Sequence, residues 1–158
     1  AETGGASYVY ARRIGSILRE AAAVVGFVQQ GNVVRRKASV SDVADTGPGT
    51  AAVSRTLSVP LGVQVFARGT VTVVTGATTS NSIAYLSDLA ANDETGAASR
   101  AHAAASNAGT GNSGIGSASF EIRTNTSGQI RSRNSASGAD VTLTIGTQGW
   151  IDHRGANL

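Results

Sequence analysis

The chain holds two histidines, His102 and His153, and no cysteine, so imidazole chemistry has two places to occur and thiolate chemistry has none. Neither histidine lies in a motif that would make it a general base. Serines are spread throughout, so no Ser-His-Asp set stands out. The densest local cluster is Trp150-Ile151-Asp152-His153-Arg154. On a strand, adjacent side chains point to opposite faces, so Asp152 and His153 would not converge on one metal; the segment reads as a terminal surface strand. Asp88, Asn92, Asp93 and Glu94 offer hard oxygen donors, without the glycine and spacing of a calcium loop, and read as a solvated acidic turn. Glycoside hydrolysis needs two carboxylates on facing elements. Asp45, Asp93, Glu94 and Glu121 are the candidates, and nothing in the spacing pairs them. Gly109-Thr-Gly-Asn-Ser-Gly114 has the glycines of a phosphate-cradling loop but neither its GK[ST] ending nor its strand–helix setting. Asn125-Thr126-Ser127 fits the glycosylation pattern and reads more simply as a hairpin turn. No catalytic residue, metal ligand or cofactor is assigned.

The composition describes what would position any of these groups. Charged residues make up 15% and aromatics 4% of the 158 residues, while Gly, Ala, Ser and Thr dominate. Small and β-branched side chains suit tightly packed pleated sheets and argue against a helical bundle. The length allows one domain with its own core. A net charge of +3 comes from 13 Lys and Arg residues, of which Lys37 is the sole lysine. They are dispersed, apart from Arg35-Arg36-Lys37 and the Arg131/Arg133 pair. A nucleic-acid binder would carry a denser basic stripe with aromatics for stacking, so no nucleic-acid partner is expected. No apolar run is long enough for a membrane span and no signal peptide opens the chain; a soluble or particle-bound protein is expected. With methionine absent even at position 1, the expectation is a chain processed at its start or a piece of something longer.

The period-two pattern is clearest from Thr56 to Thr75. Leu57, Val59, Leu61, Val63, Val65, Ala67, Val71 and Val73 share one parity, completed by Gly69, opposite Ser58, Gln64, Arg68, Thr70 and Thr72. This predicts two consecutive strands sharing a buried face, kinked or turned at Pro60. Residues 1–7 read as a flexible lead-in and 8–158 as a single β-sandwich domain. Arg19–Val25 suits a helical turn. Phe27–Gln30 and Val33–Lys37 suit a hairpin about Gly31-Asn32. Asp45–Thr50 is a loop, Gly76–Asn81 a turn, and Ser82–Ser87 a return strand. Leu89–Ser117 lacks a sustained period and reads as a surface excursion with a helical turn near Ala101–Ala105. Ala118–Thr124, Gln129–Arg133, Val141–Ile145 and Gln148–His153 form a hairpin series. Short strands between turns at these intervals predict an all-β fold, an antiparallel sandwich or jelly roll.

Three early blocks carry a family likeness: Tyr10-Ala-Arg-Arg-Ile-Gly-Ser-Ile17, Phe27-Val-Gln-Gln-Gly31 and Arg55-Thr-Leu-Ser-Val-Pro-Leu-Gly-Val63. Leu86-Ser87 with Ala91-Asn-Asp-Glu94, then Glu121–Arg131, then Gly149-Trp-Ile-Asp152 with Arg154-Gly155, follow in order. Together they resemble a module of tail-fibre and related tail proteins of bacteriophages and prophages, over nearly the whole chain from Tyr8. The chain departs from the pattern at Leu18–Val25, where a polar, glycine-containing turn is expected. The resemblance implies a β-rich module near the C-terminus of a virion fibre or tail tip, in a homotrimer, alongside other tail proteins, with a role in attachment to the host surface. It carries over no catalytic residues.

The expected ligand is a host surface polysaccharide or receptor, bound without being cut. Rigid sheets present Ser, Thr, Asn and Arg from loops, and symmetric copies multiply weak contacts. Polarity and loop position nominate Asn81, Asn92, Asp93, Asn107 and Asn112. Trp150, Tyr85 and Tyr8 are nominated as aromatic platforms, although each of these also suits a core or an interface. The rivals are a capsid decoration or connector protein and a polysaccharide depolymerase.

Overall fold

The computed structural model describes residues 15–79, 81–107 and 112–153. Among them there is no α-helix, only a 3-10 turn at Ala98–Arg100 and antiparallel strands. The strands are β1 (Arg19–Glu20), β2 (Ala23–Val24), β3 (Phe27–Gln30), β4 (Val33–Thr46), β5 (Val53–Thr56), β6 (Phe66–Thr75), β7 (Asn81–Ser87), β8 (Ala103–Ser106), β9 (Gly114–Arg123), β10 (Gln129–Asn134) and β11 (Thr142–Ile151). One sheet has the order β3-β4-β11-β6-β9 and the other β5-β10-β7-β8, with β1 and β2 as a separate hairpin.

Alternation puts Ala67, Val71 and Val73 of β6, Leu143 and Ile145 of β11, and Phe120 and Ile122 of β9 in a single core. Leu86, Ala84, Ala103 and Ile130 of the smaller sheet belong to the same cluster. Each large aliphatic side chain fully buried there contributes roughly 1.5–3 kcal/mol. The edges β8 and β9 close against each other because β9 carries glycine where they meet. A Cβ on Gly116 would lie 1.9 Å from the Ala104 carbonyl oxygen, and one on Gly114 would lie 2.2 Å from that of Ser106. On the other side, Arg55 of β5 pairs with Asp45 of β4 at 2.5 Å. There Asp42 accepts from the Ser58 hydroxyl at 2.6 Å and from the Thr147 hydroxyl.

Several elements differ from the sequence reading. The Thr56–Thr75 stretch holds one full strand rather than two: β6 starts only at Phe66, while β5, in the other sheet, ends at Thr56. Residues 57–65 cross between them, burying Leu57, Val59 and Val65 while Leu61 stays 66% exposed. Arg19–Val25 is a tight hairpin rather than a helical turn, and it reverses through Ala21 (φ 46°) and Ala22 (φ 65°). An L-residue in that region costs roughly 1–2 kcal/mol. The hairpin about Gly31-Asn32 forms as expected, with Gln30 opposite Val33 and Gly31 at φ 60°. The C-terminal hairpin series does not form. β9 pairs with β6, β10 with β5 and β7, and β11 with β4 and β6. The turn after β9 is bonded to the 57–62 crossover, through Leu57 N–H to Gly128 O (2.9 Å) and Gly62 N–H to Thr126 O (2.7 Å). Those bonds send the chain to the other sheet. Likewise β7 leaves β6 for the smaller sheet.

Asp140 clasps two of these turns together. Its carboxylate accepts the Thr78 and Thr79 hydroxyls, each at 2.6 Å, and their N–H groups at 2.8 and 2.9 Å. The Thr78 hydroxyl, then that of Thr79, hold the carboxyl well below the usual carboxylate range. A depressed folded-state pKa adds stability that is complete above the unfolded value of about 3.9 and is lost as pH falls below it. Asp140→Ala is therefore expected to lower Tm at neutral pH, and the gap from the parent should narrow as a thermal-melt series descends below about pH 4.

Candidate binding groove between the sheet edges

The two sheets part where β8 ends. β8 pairs with Asn81–Ala84 only, so Tyr85–Ser87 of β7 face an open edge on that side. His102, just before β8, closes part of this edge. Its N–H donates to Ala84 O at 3.0 Å, and its Nδ1 accepts the Leu86 N–H at 3.3 Å. An imidazole accepting through Nδ1 is neutral, and burial pushes the His102 pKa down in the same direction. Across the gap runs the end of β9, Glu121–Arg123, which pairs only with β6 and so forms the outer edge of the larger sheet.

Between these edges lies a groove of about 470 Å³, within the size range of small-ligand sites. Tyr85 and Phe66 supply aromatic surface, and Asp88, Arg123, Glu121 and His102 supply polar groups. Tyr85 leans on His102, with ring centroids 5.8 Å apart and a 47° tilt. Phe66 is held edge-to-face by His153 at 5.2 Å. Arg123 Nε reaches Asp88 at 2.5 Å and ties the two sheets across the gap. Glu121 pairs with Arg68 at 3.3 Å. The charges are thus paired at the rim, and what faces the groove is a set of fixed donors and acceptors beside two ring faces. That chemistry suits an uncharged, hydroxyl-rich ligand with apolar C–H faces.

None of the nominated residues Asn81, Asn92, Asp93, Asn107, Asn112 and Trp150 lines this groove. Asn81 opens β7 opposite Ser106 and is exposed. Asn107 is a structural tie, with its amide donating to Gly76 O (2.9 Å) and Thr79 O (3.1 Å). Asn112 is exposed just before β9. Asn92 is exposed on the segment after β7, and Asp93 beside it pairs with Arg133 at 2.8 Å. That segment is pinned by Arg131, which donates to Ala91 O (2.8 Å) and Leu89 O (3.2 Å). Trp150 is corrected as a platform: it is 0% exposed in the core, and its indole N–H donates to Ser16 Oγ at 3.2 Å. Tyr85 does line the groove, and Tyr8 lies outside the described residues. Phe66 and Arg123 escaped the sequence reading. Phe66 had a signal, an aromatic on the opposite parity to Val65 and Ala67.

Asp45, Asp93 and Glu94 do not pair with one another, while two carboxylates, Asp88 and Glu121, line the groove. Asp93 meets Arg133, Glu94 meets Arg100 at 2.7 Å and Asp45 meets Arg55. Among the described residues no cluster of three or more His, Asp or Glu side chains is placed to hold a metal ion. Compared with known proteins, the chain matches no family model and no characterised protein.

Proposed function

We propose that this chain is a module of a bacteriophage tail fibre or tail tip that attaches the virion to the bacterial surface by binding a surface glycan without cutting it. The observation that carries the reading is the groove where the sheets part: two aromatic rings next to a fixed Asp88–Arg123 pair and a neutral imidazole. Sugars present hydroxyls that bond to such fixed groups and C–H faces that pack on rings. The ordered blocks from Tyr10 to Gly155 support the virion assignment.

The two sheets with a shared core are read as an antiparallel sandwich with jelly-roll-like crossovers, and the working form as a homotrimer. In a trimer one weak groove becomes three, so avidity exceeds single-site affinity by orders of magnitude. The non-catalytic reading is supported by the arginine pairing of each acid at the groove: Asp88 is held by Arg123 and Glu121 by Arg68.

Incubation of the purified protein with bacterial cells and with an array of bacterial surface polysaccharides tests this directly. Retention on a subset of glycans, recovered at their original length, is the expected result. Failure to bind any cell or glycan while still assembling on virions would make it a connector or decoration protein. Shortened glycans would make it a depolymerase.

A further inference from the structure

A second concavity lies next to the groove, on the outer face of the larger sheet. One row across that face reads Val28, Arg35, Gly149, Arg68, Glu121, each residue directly opposite the next on neighbouring strands. Arg35 and Arg68 therefore flank a position with no side chain, two strand spacings or about 9.6 Å apart at their Cα atoms. Glycine is required there, since a Cβ would lie 2.2 Å from the Val34 carbonyl oxygen. A β-bulge between Thr147 and Gly149 inserts Gln148 beside this notch, where its amide donates to the Thr70 hydroxyl at 2.9 Å. Bulges of this kind re-aim side chains and recur near sites. Arg35, Arg68, Ser39, Ser119 and Gln148 line a hollow of about 400 Å³ over Gly149.

The positive charge here is only partly consumed internally. Arg35 has no carboxylate within ion-pair reach among the described residues, and Arg68 has only the half-exposed Glu121. Arg36, also at the hollow, is spent elsewhere: it forks onto Glu20 at 2.9 and 3.0 Å and bonds Ser58 O. Two guanidiniums over a backbone floor, with an amide and hydroxyls at the rim, form a receptor for an oxyanion. Glu121 lines the aromatic groove and pairs with Arg68, which lines the hollow, so this ion pair links the two.

We propose that the Arg35–Gly149–Arg68 notch is a subsite for the carboxylate of an acidic sugar, in a polysaccharide whose uncharged part occupies the Tyr85 groove. The assignment rests on the glycan-binding reading of that groove and adds the charge class of the ligand. A planar carboxylate fits a guanidinium fork, and a chain leaving the groove passes over Arg68 onto Gly149.

Titration of the purified protein with tetragalacturonate and with its fully methyl-esterified form isolates the charge. At low salt the acid is expected to bind about tenfold tighter than the ester, as a charge-assisted pair provides, and the gap should close at high salt. Arg35→Gln should remove most of the gap and leave the ester affinity unchanged. Equal binding of acid and ester, or a gap that survives Arg35→Gln, overturns the notch and leaves the groove reading intact. Displacement of the acid by inorganic phosphate at low millimolar concentration overturns the carboxylate assignment in favour of a phosphorylated glycan. Binding of neither oligosaccharide also overturns the notch, and the groove reading then depends on the polysaccharide array alone.

Discussion

Trp150→Ala is expected to lower the unfolding free energy by about 3–5 kcal/mol, the usual result of emptying a large core site. The indole is 0% exposed and sits on β11 between Val34 of β4 and Ala67 of β6. Those neighbours are small, and the strands are fixed by long ladders on both sides, so the sheet has little freedom to collapse into the gap. The substitution also leaves the Ser16 hydroxyl without its indole donor. Single domains have total stabilities of about 5–15 kcal/mol, so the variant would be close to unfolding at 37 °C. Urea unfolding followed by far-ultraviolet circular dichroism gives the value, and Trp150→Phe should recover a large part of it. A loss under about 1 kcal/mol would mean that the site repacks and that Trp150 does not anchor the larger sheet.

Much of the fold was legible because burial alternates strictly. Along β6 every second residue from Ala67 to Thr75 is buried, and the period-two pattern stated as much. The Gly31-Asn32 hairpin was equally readable, since its chemistry is local. Pairing partners were not readable. Asn125–Gly128 has the composition of a hairpin turn, yet its peptide groups bond to residues 57 and 62, contacts that no local rule reveals. The helical turn expected near Ala101–Ala105 gives way to strand β8 for a different reason: alanine favours helix by propensity, but here Ala103 and Ala105 are small enough to be buried beside the closing sheet edges.

The candidate site was less legible still. It is assembled from Phe66, Tyr85, Asp88, His102 and Glu121–Arg123, which meet only because β8 stops short of Tyr85 and β9 lies on an edge. Sequence polarity pointed instead to asparagines, and Asn107 proved to be tying a turn. The row of Arg35, Gly149 and Arg68 is non-local in the same way, being fixed by register across a bulge.

Tyr85→Ala tests the groove most directly, measured by titrating a glycan selected on the polysaccharide array into the parent and the variant. The Tyr85 ring is part-exposed on β7, lies against His102 and forms one wall of the groove, so its loss removes contact surface without opening the core. Truncating a central aromatic at a binding surface costs about 2 kcal/mol or more, which corresponds to roughly thirtyfold in Kd. The account predicts a loss of that size with Tm within about 2 °C of the parent, as expected for a side chain outside the core. An unchanged Kd in a folded variant would contradict it and place the glycan site elsewhere on the chain.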